Sequence, residues 1–367
     1  MTLKARPLTC CHIGNHMDSG SIRSWTWRLP AWSPAAMHTD ERHLSPGRRT
    51  LLRGAAIGAA VPLLPGTAVA DTPAPATGKR TAGSVSYRWL GTSGWRIDLR
   101  RQDKPSATVL VDPYVTRFPT GLFTGAFDPG TQLRTDKALV RGHAGTPELI
   151  CVTHTHWDHL NDVPFLARST GARVIGTETT YHVLRSFGVD AARIIVVKGG
   201  EVLDFDGYVV EVASSRHSRN GSYSYFAPGT LNAPPATAPR TVSDLPEGDT
   251  LAFKVTPDDA PSALFMGASD FDERSFAGLA PDIAMVAVAS TASTYRYLPR
   301  LLDTLGRPGV LVPVHWDDFE RPLSLPPRKD GAGLDDFLDR ARAVSPGSRI
   351  VVPDYETAYG ADLRPRG

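Results

Sequence analysis

The chain is short of cysteine, of any surplus of one charge and of long apolar runs. Three cysteines stand among 367 residues, Cys10 beside Cys11 and Cys151 alone, so a disulfide-stapled scaffold is excluded. The run Cys10-Cys11-His12 with His16 matches no common zinc spacing. Forty Lys and Arg face 38 Asp and Glu, a net charge of +2, and no basic aromatic-lined stripe offers nucleic acid a footing. What is present is ordinary: 41% hydrophobic residues and 8% aromatics are enough for a packed core and exclude disorder or a collagen-like repeat.

The balanced total conceals an uneven distribution. Residues 1–70 carry eight Lys and Arg against three Asp and Glu, and the remainder is slightly acidic. Arg48 and Arg49 precede an uncharged run from Gly54 to Leu64, followed by Ala68-Val69-Ala70, a small-x-small cleavage pattern. This order resembles a twin-arginine export signal. The run falls well short of the ~20 residues a helix needs to span a bilayer, so no stable membrane anchor is expected. Residues 1–70 therefore read as an N-terminal extension and signal peptide, with residues 1–36 lying upstream of a second candidate start at Met37. Residues 71–83, rich in Pro, Ala and Thr, read as a linker, 84–360 as the folded domain and 361–367 as a C-terminal tail. The expected location is secreted or periplasmic, and the export machinery is the macromolecular partner that this leader implies.

Within the domain, short β-rich runs such as Val85 to Trp89, Leu149 to Thr153, Tyr208 to Ala213, Ala263 to Met266 and Val310 to Val314 alternate with helical patterns. The clearest helices are predicted over 162–170, 179–187, 297–305 and 334–343, where apolar residues recur at three- and four-residue steps. The class is α/β or α+β. Two stretches, 116–147 and 218–249, are rich in Gly, Pro, Thr and Ala and longer than loops usually run, as functional lids or surface insertions do.

Chemistry concentrates after one apolar strand, in His154-Thr155-His156-Trp157-Asp158-His159. An extended segment would send His154 and His156 to the same side, while Asp158 and His159 turn toward a second position as a helix begins. His217, Asp270 and His315 each follow the end of another predicted strand. Five of the seven histidines beyond residue 70 belong to this set, whereas surface histidines would scatter. Neutral imidazoles with few carboxylates suit Zn(II), and seven ligands exceed what one tetrahedral ion takes.

The ordered pattern His-x-His-x-Asp-His, then His217, Asp270 and His315, resembles the metallo-β-lactamase-fold superfamily. Tyr87-Arg88-Trp89-Leu90-Gly91, Val111-Asp112-Pro113 and Pro313-Val314-His315-Trp316 are similar to its branch containing ascorbate-6-phosphate lactonase and N-acylphosphatidylethanolamine phospholipase D. That branch often has His after the first-strand Gly; here the residue is Thr92. The resemblance implies a four-layer αβ/βα sandwich with a dinuclear site along one edge. His154, His156 and His217 would hold one metal and Asp158, His159 and His315 the other, with Asp270 bridging and Asp158 and Asp270 as the catalytic carboxylates. The implied cofactors are two divalent ions, Zn(II) first, with Mn(II) and Fe(II) as alternatives.

The implied reaction is hydrolysis of an ester-type bond, a phosphodiester or a lactone, by a metal-bridging hydroxide that exists near neutral pH because the ions acidify water. The substrate would be a small or lipid-like molecule. A mononuclear-iron oxidoreductase resembling sulfur dioxygenases is the alternative on the same fold. Asp112 reads either as a partner orienting a ligand imidazole or as a turn-forming Asp before Pro. His143 and His182 read as non-ligands and Cys151 as a small core residue. Trp157 and Trp316 either wall a pocket or pack beneath it, while Tyr223, Tyr225 and Phe226 offer a rest for an apolar substrate portion.

Overall fold

The computed structural model describes residues 85–101, 103–220, 222, 224–329 and 333–366. The extension, export signal, linker and Tyr223 expectations lie outside the described residues.

β-Branched and alternating apolar residues build two mixed sheets. The first comprises β1 (Val85–Gly91), β2 (Gly94–Leu99), β3 (Ala107–Val111), β4 (Leu149–Cys151), β5 (Arg173–Gly176), β6 (Ile194–Val196) and, on the edge beside β1, β15 (Ala358–Tyr359). The second comprises β7 (Val202–Phe205), β8 (Tyr208–Arg216), β9 (Leu251–Pro257), β10 (Ala263–Met266), β11 (Asp270–Phe271), β12 (Ile283–Ala287), β13 (Val310–Val314) and β14 (Arg349–Ile350). Its order is β11-β8-β9-β10-β12-β13-β14, with β7 paired to the start of β8.

β1 to β3 are antiparallel neighbours, and β3 to β6 run parallel. In β1 the alternation is clean at first, with Val85, Tyr87 and Trp89 inward and Arg88 in solvent. β4, β10 and β12 are buried along their whole length because both faces are covered. The sheets meet face to face: Trp95 of β2 stands edge-on to Phe265 of β10 with centroids 6.3 Å apart, inside one continuous core.

Among the described residues seven α-helices complete the layers: α1 (Lys137–Ala144), α2 (Trp157–Leu160), α3 (Val163–Thr170), α4 (Glu178–Ser186), α5 (Glu273–Phe276), α6 (Tyr297–Thr304) and α7 (Leu334–Val344). α4 packs on β5 and β6, α1 on α3, and α6 on α5 and α7. The sandwich read from the sequence is the observed architecture. α1 lies inside the first unassigned stretch. Its carboxylate cap is strong, with Asp136 accepting the Ala138 and Leu139 N–H groups, but it buries only Val140 and Ala144, too few positions to print a helical period.

After Tyr359 the chain is packed: Leu363 is fully buried, and the Arg366 guanidinium donates to the Val85 carbonyl on β1. Among the described residues no helix is long and apolar enough to cross a membrane. Strand direction matters most for function, because the chain leaves β3, β4, β8, β10 and β13 toward the same rim, where residues that follow them converge.

Candidate metal centre

β4 ends at Cys151, and a short segment with a bend at Thr153 leads to His156 before α2 starts at Trp157. His154 and His156 share a side, with His217, one residue beyond β8, facing both. The three ring centroids are 4.7 to 4.9 Å apart. The first turn of α2 carries Asp158 and His159 toward His315, one residue beyond β13. Asp158 Oδ2 lies 3.3 Å from His159 Nε2 and 3.1 Å from His315 Nε2. Within each triad the donor atoms lie within 4.8 Å of one another. The triads adjoin through His154 and His159, whose rings are 3.9 Å apart.

Four of the five imidazoles are oriented by the nitrogen that faces away from the triads, whereas His315 Nδ1 is buried without a hydrogen-bond partner. Asp112, fully buried at the end of β3, accepts the Thr153 N–H at 2.7 Å and the Thr153 hydroxyl at 2.5 Å, and its Oδ2 lies 2.8 Å from His159 Nδ1. Because the Thr153 hydroxyl gives its proton to Asp112, it accepts from His154 Nδ1 at 3.1 Å. That leaves His154 Nε2 with a bare lone pair, buried and without a hydrogen-bond partner, as a metal ligand requires. The Phe226 carbonyl holds the proton on His156 Nε2 and the Ser218 carbonyl that on His217 Nδ1, both at 2.8 Å. Asp112 therefore serves as the orienting partner, at a backbone φ of +41° that few non-glycine residues adopt. Gly267 permits this closeness: a Cβ there would stand 2.0 Å from Thr153 Oγ1 and 3.2 Å from Asp112 Oδ2.

His315 is held from below. Its N–H donates to the Thr92 carbonyl at 2.8 Å, and the Thr92 N–H donates to Asp317 Oδ1 at 2.9 Å. Asp317 Oδ2 accepts from Tyr355 at 2.5 Å and from Arg117 at 3.2 Å in a fully buried network. This ties the β1–β2 turn of one sheet to the end of β13 in the other, so Thr92 positions a ligand through its backbone.

The triads differ electrically. Burial, reinforced by His217, holds His156 down to about 3, and burial holds His217 down to about 4 against the opposing Ser218 contact. Burial and the neighbouring His159 keep His154 well below the ordinary imidazole value. His159 goes the other way: burial alone would lower it, but Asp158 and Asp112 outweigh burial and raise it to about 10. Asp158 is held low by His159 and His315 although burial opposes this.

Six of the seven expected ligands come together. Asp270 does not, and its expected bridging role is corrected here. β10 stops at Met266, and Gly267, Ala268 and Ser269 are the residues that reach the cavity wall. Asp270 has already entered β11, paired with Arg216, and its Oδ1 accepts the Phe271 N–H at 2.8 Å. It lines two neighbouring depressions, one with Arg216, Arg219 and Asp272, the other with His217, Tyr225, Glu247 and Asp249. Ala268 offers no donor atom, and the Ser269 hydroxyl is used on the Ala289 carbonyl. Of the two catalytic carboxylates expected, only Asp158 stands at the centre.

The triads floor a cavity of about 670 Å³. Trp157 lines it, whereas Trp316 stacks beneath on Trp89 at 5.2 Å. His143 pairs with Glu356 at 2.7 Å, and His182 sits 3.5 Å from Glu178 on α4, both outside the triads. Cys151 is buried, with its thiol pushed well above the usual range. Both long stretches reach the cavity, through Leu122, Phe123 and Phe127 from one and Ser218, Asn220, Tyr225 and Phe226 from the other. Sequence reasoning missed Thr153, the Phe226 carbonyl and the Arg117–Asp317–Tyr355 network. Asp317 alone left a trace, an acid two residues past a ligand; its partners are distant in sequence.

Residues 108–316, more than half of the chain, match the family model described as the beta-lactamase superfamily domain. The chain belongs to the β-lactamase superfamily. Its arrangement of two mixed sheets and outer helices is the metallo-β-lactamase fold. A UPF0173 metal-dependent hydrolase from Polynucleobacter asymbioticus is 28% identical over 188 residues, 51% of this chain and 60% of that one. Another from Agrobacterium fabrum is 32% identical over 134 residues, 36% of this chain and 48% of that one. The chain therefore spans roughly half to three fifths of the length of these relatives. One from Salinibacter ruber is 28% identical over 226 residues, covering 60% and 85%. Among solved structures, Igni18, a metallo hydrolase of the archaeon Ignicoccus hospitalis, aligns with a TM-score of 0.48 at 18% identity, over 75% of this chain and 97% of that one.

The donor set fits divalent metal. Each triad brings three N or O donors, His154 Nε2 is a buried lone pair without another use, and imidazole with one carboxylate is Zn(II)-type ligation.

Proposed function

We propose that this chain is a secreted, dinuclear metal-dependent hydrolase that cleaves an ester-type bond in a small or lipid-like molecule. The observation that carries the reading is the pair of adjoining three-donor triads on the floor of one cavity. His154, His156 and His217 would hold one ion, and Asp158, His159 and His315 the other, Zn(II) being the first choice for such donors. Bound there, the ions supply Lewis acidity, which acidifies water and polarises the bond to be cleaved.

The chain's own residues do the rest. Asp112 and Thr153 keep protons on the distal nitrogens of His159 and His154, and the Phe226 and Ser218 carbonyls do the same for His156 and His217, so that each near nitrogen presents a lone pair. Thr92 and Asp317 fix the backbone of His315. Cavity walls of aromatic rings displace bulk water from the reacting bond. Twin arginines followed by an apolar run and Ala68-Val69-Ala70 support export.

Elemental analysis of the full chain should give close to two Zn per chain, with turnover of ester substrates lost on chelation and restored by Zn(II). One iron per chain with oxygen consumption would instead establish the oxidoreductase alternative. For export, R48K with R49K should retain the protein inside the cell. An unchanged extracellular yield would overturn the leader reading.

A further inference from the structure

Phe226 meets the first triad twice. Its carbonyl accepts from His156 Nε2 at 2.8 Å, and its ring stands 5.6 Å from the His156 ring. That ring is gripped by two others from separate chain segments. Phe127 and Trp157 stand edge-on to it at 5.2 and 5.6 Å, and they stack on each other at 5.9 Å. Phe319 extends the wall, 6.3 Å from Trp157 and 4.9 Å from Phe123. No Lys or Arg is found among the described residues that line this cavity, so the hold on the Phe226 side chain is ring on ring.

The backbone of Phe226 is held less firmly than that of the corresponding group behind the second triad. Asp112, which stands behind His159, is tied into the sheet, its N–H donating to the Cys151 carbonyl at 3.0 Å. Phe226 lies in no strand or helix, and the peptide plane that carries its carbonyl is shared with Ala227, whose φ is +39°. A residue with a Cβ keeps such a left-handed value only where its surroundings impose it. One constraint is the Ala227 carbonyl, which accepts the Glu247 N–H at 2.7 Å. The other is the ring clamp on Phe226. Relaxation of φ at Ala227 to a negative value turns the shared plane and takes the Phe226 carbonyl off His156.

We infer that Phe226 is a positioning residue for the ion of the first triad, an inference that rests on the metal-centre reading above. Its ring, clamped by Phe127 and Trp157, keeps its own carbonyl on His156 Nε2 and so leaves Nδ1 as the bare nitrogen. The aromatic wall thereby sets how tightly the first ion is held, although the wall itself supplies no ligand.

The test uses the full chain, Zn(II) with a competing chelator, and the nitrogen NMR shifts of the His156 ring. In metal-free wild type Nε2 should carry the proton and Nδ1 should be bare. F226A should populate both tautomers. It should also lower affinity about tenfold for the ion whose binding moves the His156 signals, the low end for a disturbed partner of a ligand because the carbonyl itself remains, and leave the other ion within about twofold. F226Y restores the ring and should return both readouts to within about twofold of wild type. F127A leaves residue 226 whole and carries the same test should F226A not fold; it should cost the first ion about threefold. F127A combined with F226A should be no weaker than F226A alone, because the clamp acts only through the Phe226 ring. Wild-type affinity in F226A, equal weakening of both ions, no rescue by F226Y, or additive losses in the double variant would each overturn the inference. If the wild-type chain takes up no Zn(II), the metal-centre reading falls, and the His156 tautomer in metal-free wild type, F226A and F226Y decides the role of Phe226 by itself.

Discussion

The two triads share one cavity floor, yet they are different electrostatic objects. His154, His156 and His217 form a neutral set: burial and mutual proximity keep the rings unprotonated, and carbonyl or hydroxyl oxygens beside them settle which nitrogen is bare. Asp158, His159 and His315 form a set with an internal ion pair, in which His159 is gripped between Asp158 and Asp112. The first is shaped to receive a cation as it stands. In the second, Asp158 and Asp112 favour the protonated His159 against burial, and the frame depends on a buried carboxylate behind it. Ligand type alone does not define a site; burial and the groups around an imidazole together decide its protonation.

Removing a donor from the neutral triad should break the comparison most severely. H156A is expected to reduce bound Zn from about two to about one per chain and to lower ester turnover at least about 100-fold, since even distal partners of metal ligands cost that order. Elemental analysis beside kinetics checks both. Retention of two ions would show that the first triad is not a site.

D112A should strike the second triad hardest, through His159, and reach the first only through the Thr153 hydroxyl beside His154. It strands the Thr153 N–H and hydroxyl and leaves His159 without its anchor, all in a fully buried setting. Unfolding free energy should fall by about 2–4 kcal/mol, and affinity for one of the two ions should drop roughly 10- to 100-fold. Denaturant melts and a competitive chelator titration measure the two effects. Equal weakening of both ions would erase the distinction drawn between the triads.

A268D tests the missing shared carboxylate. Ala268 is on the cavity wall and 4% exposed, so an acid there should raise affinity for the second ion by about tenfold through one added charge, merging two loading steps into one in a calorimetric titration. Unaltered two-step loading would mean that position 268 does not reach either triad.

The smallest effect is a pH dependence at Asp162, just past α2. Burial raises its carboxyl to about 6 against the Val115 and Thr116 N–H groups that favour the charge. The folded chain thus keeps a proton that the unfolded chain releases near the ordinary carboxyl value. This contribution to stability is complete below about pH 4 and is lost as pH rises to about 6. Urea unfolding across that range should show the decline in wild type and a flatter profile in D162N. Parallel profiles would remove Asp162 as the source.

Legibility followed locality. The helices over 163–170, 178–186, 297–304 and 334–344 were visible because each buries enough positions to print a 3.6-residue period. α1 buries two and was invisible. His154, His156, Asp158 and His159 were legible because one turn of chain carries them, and His217 and His315 because each directly follows a strand. Asp270 misled for the same kind of reason: it follows β10 by four positions, and that offset carried it past the cavity into β11. Asp112 was legible as a candidate but not as a decision, since turn former and orienting partner look alike in Val-Asp-Pro.

The sequence by itself determined the chemistry on offer, the α/β class and the rim on which the chemistry would sit, because strand periodicity and a dense histidine cluster are local properties. Only the tertiary structure decided which carboxylate belongs, how each imidazole is protonated, and that the wall opposite the triads is aromatic and free of cationic side chains among the described residues. Those outcomes depend on register and on contacts between segments as distant as Thr92 and Asp317 or Phe127 and Phe226, and no local pattern encodes where two remote chains will touch.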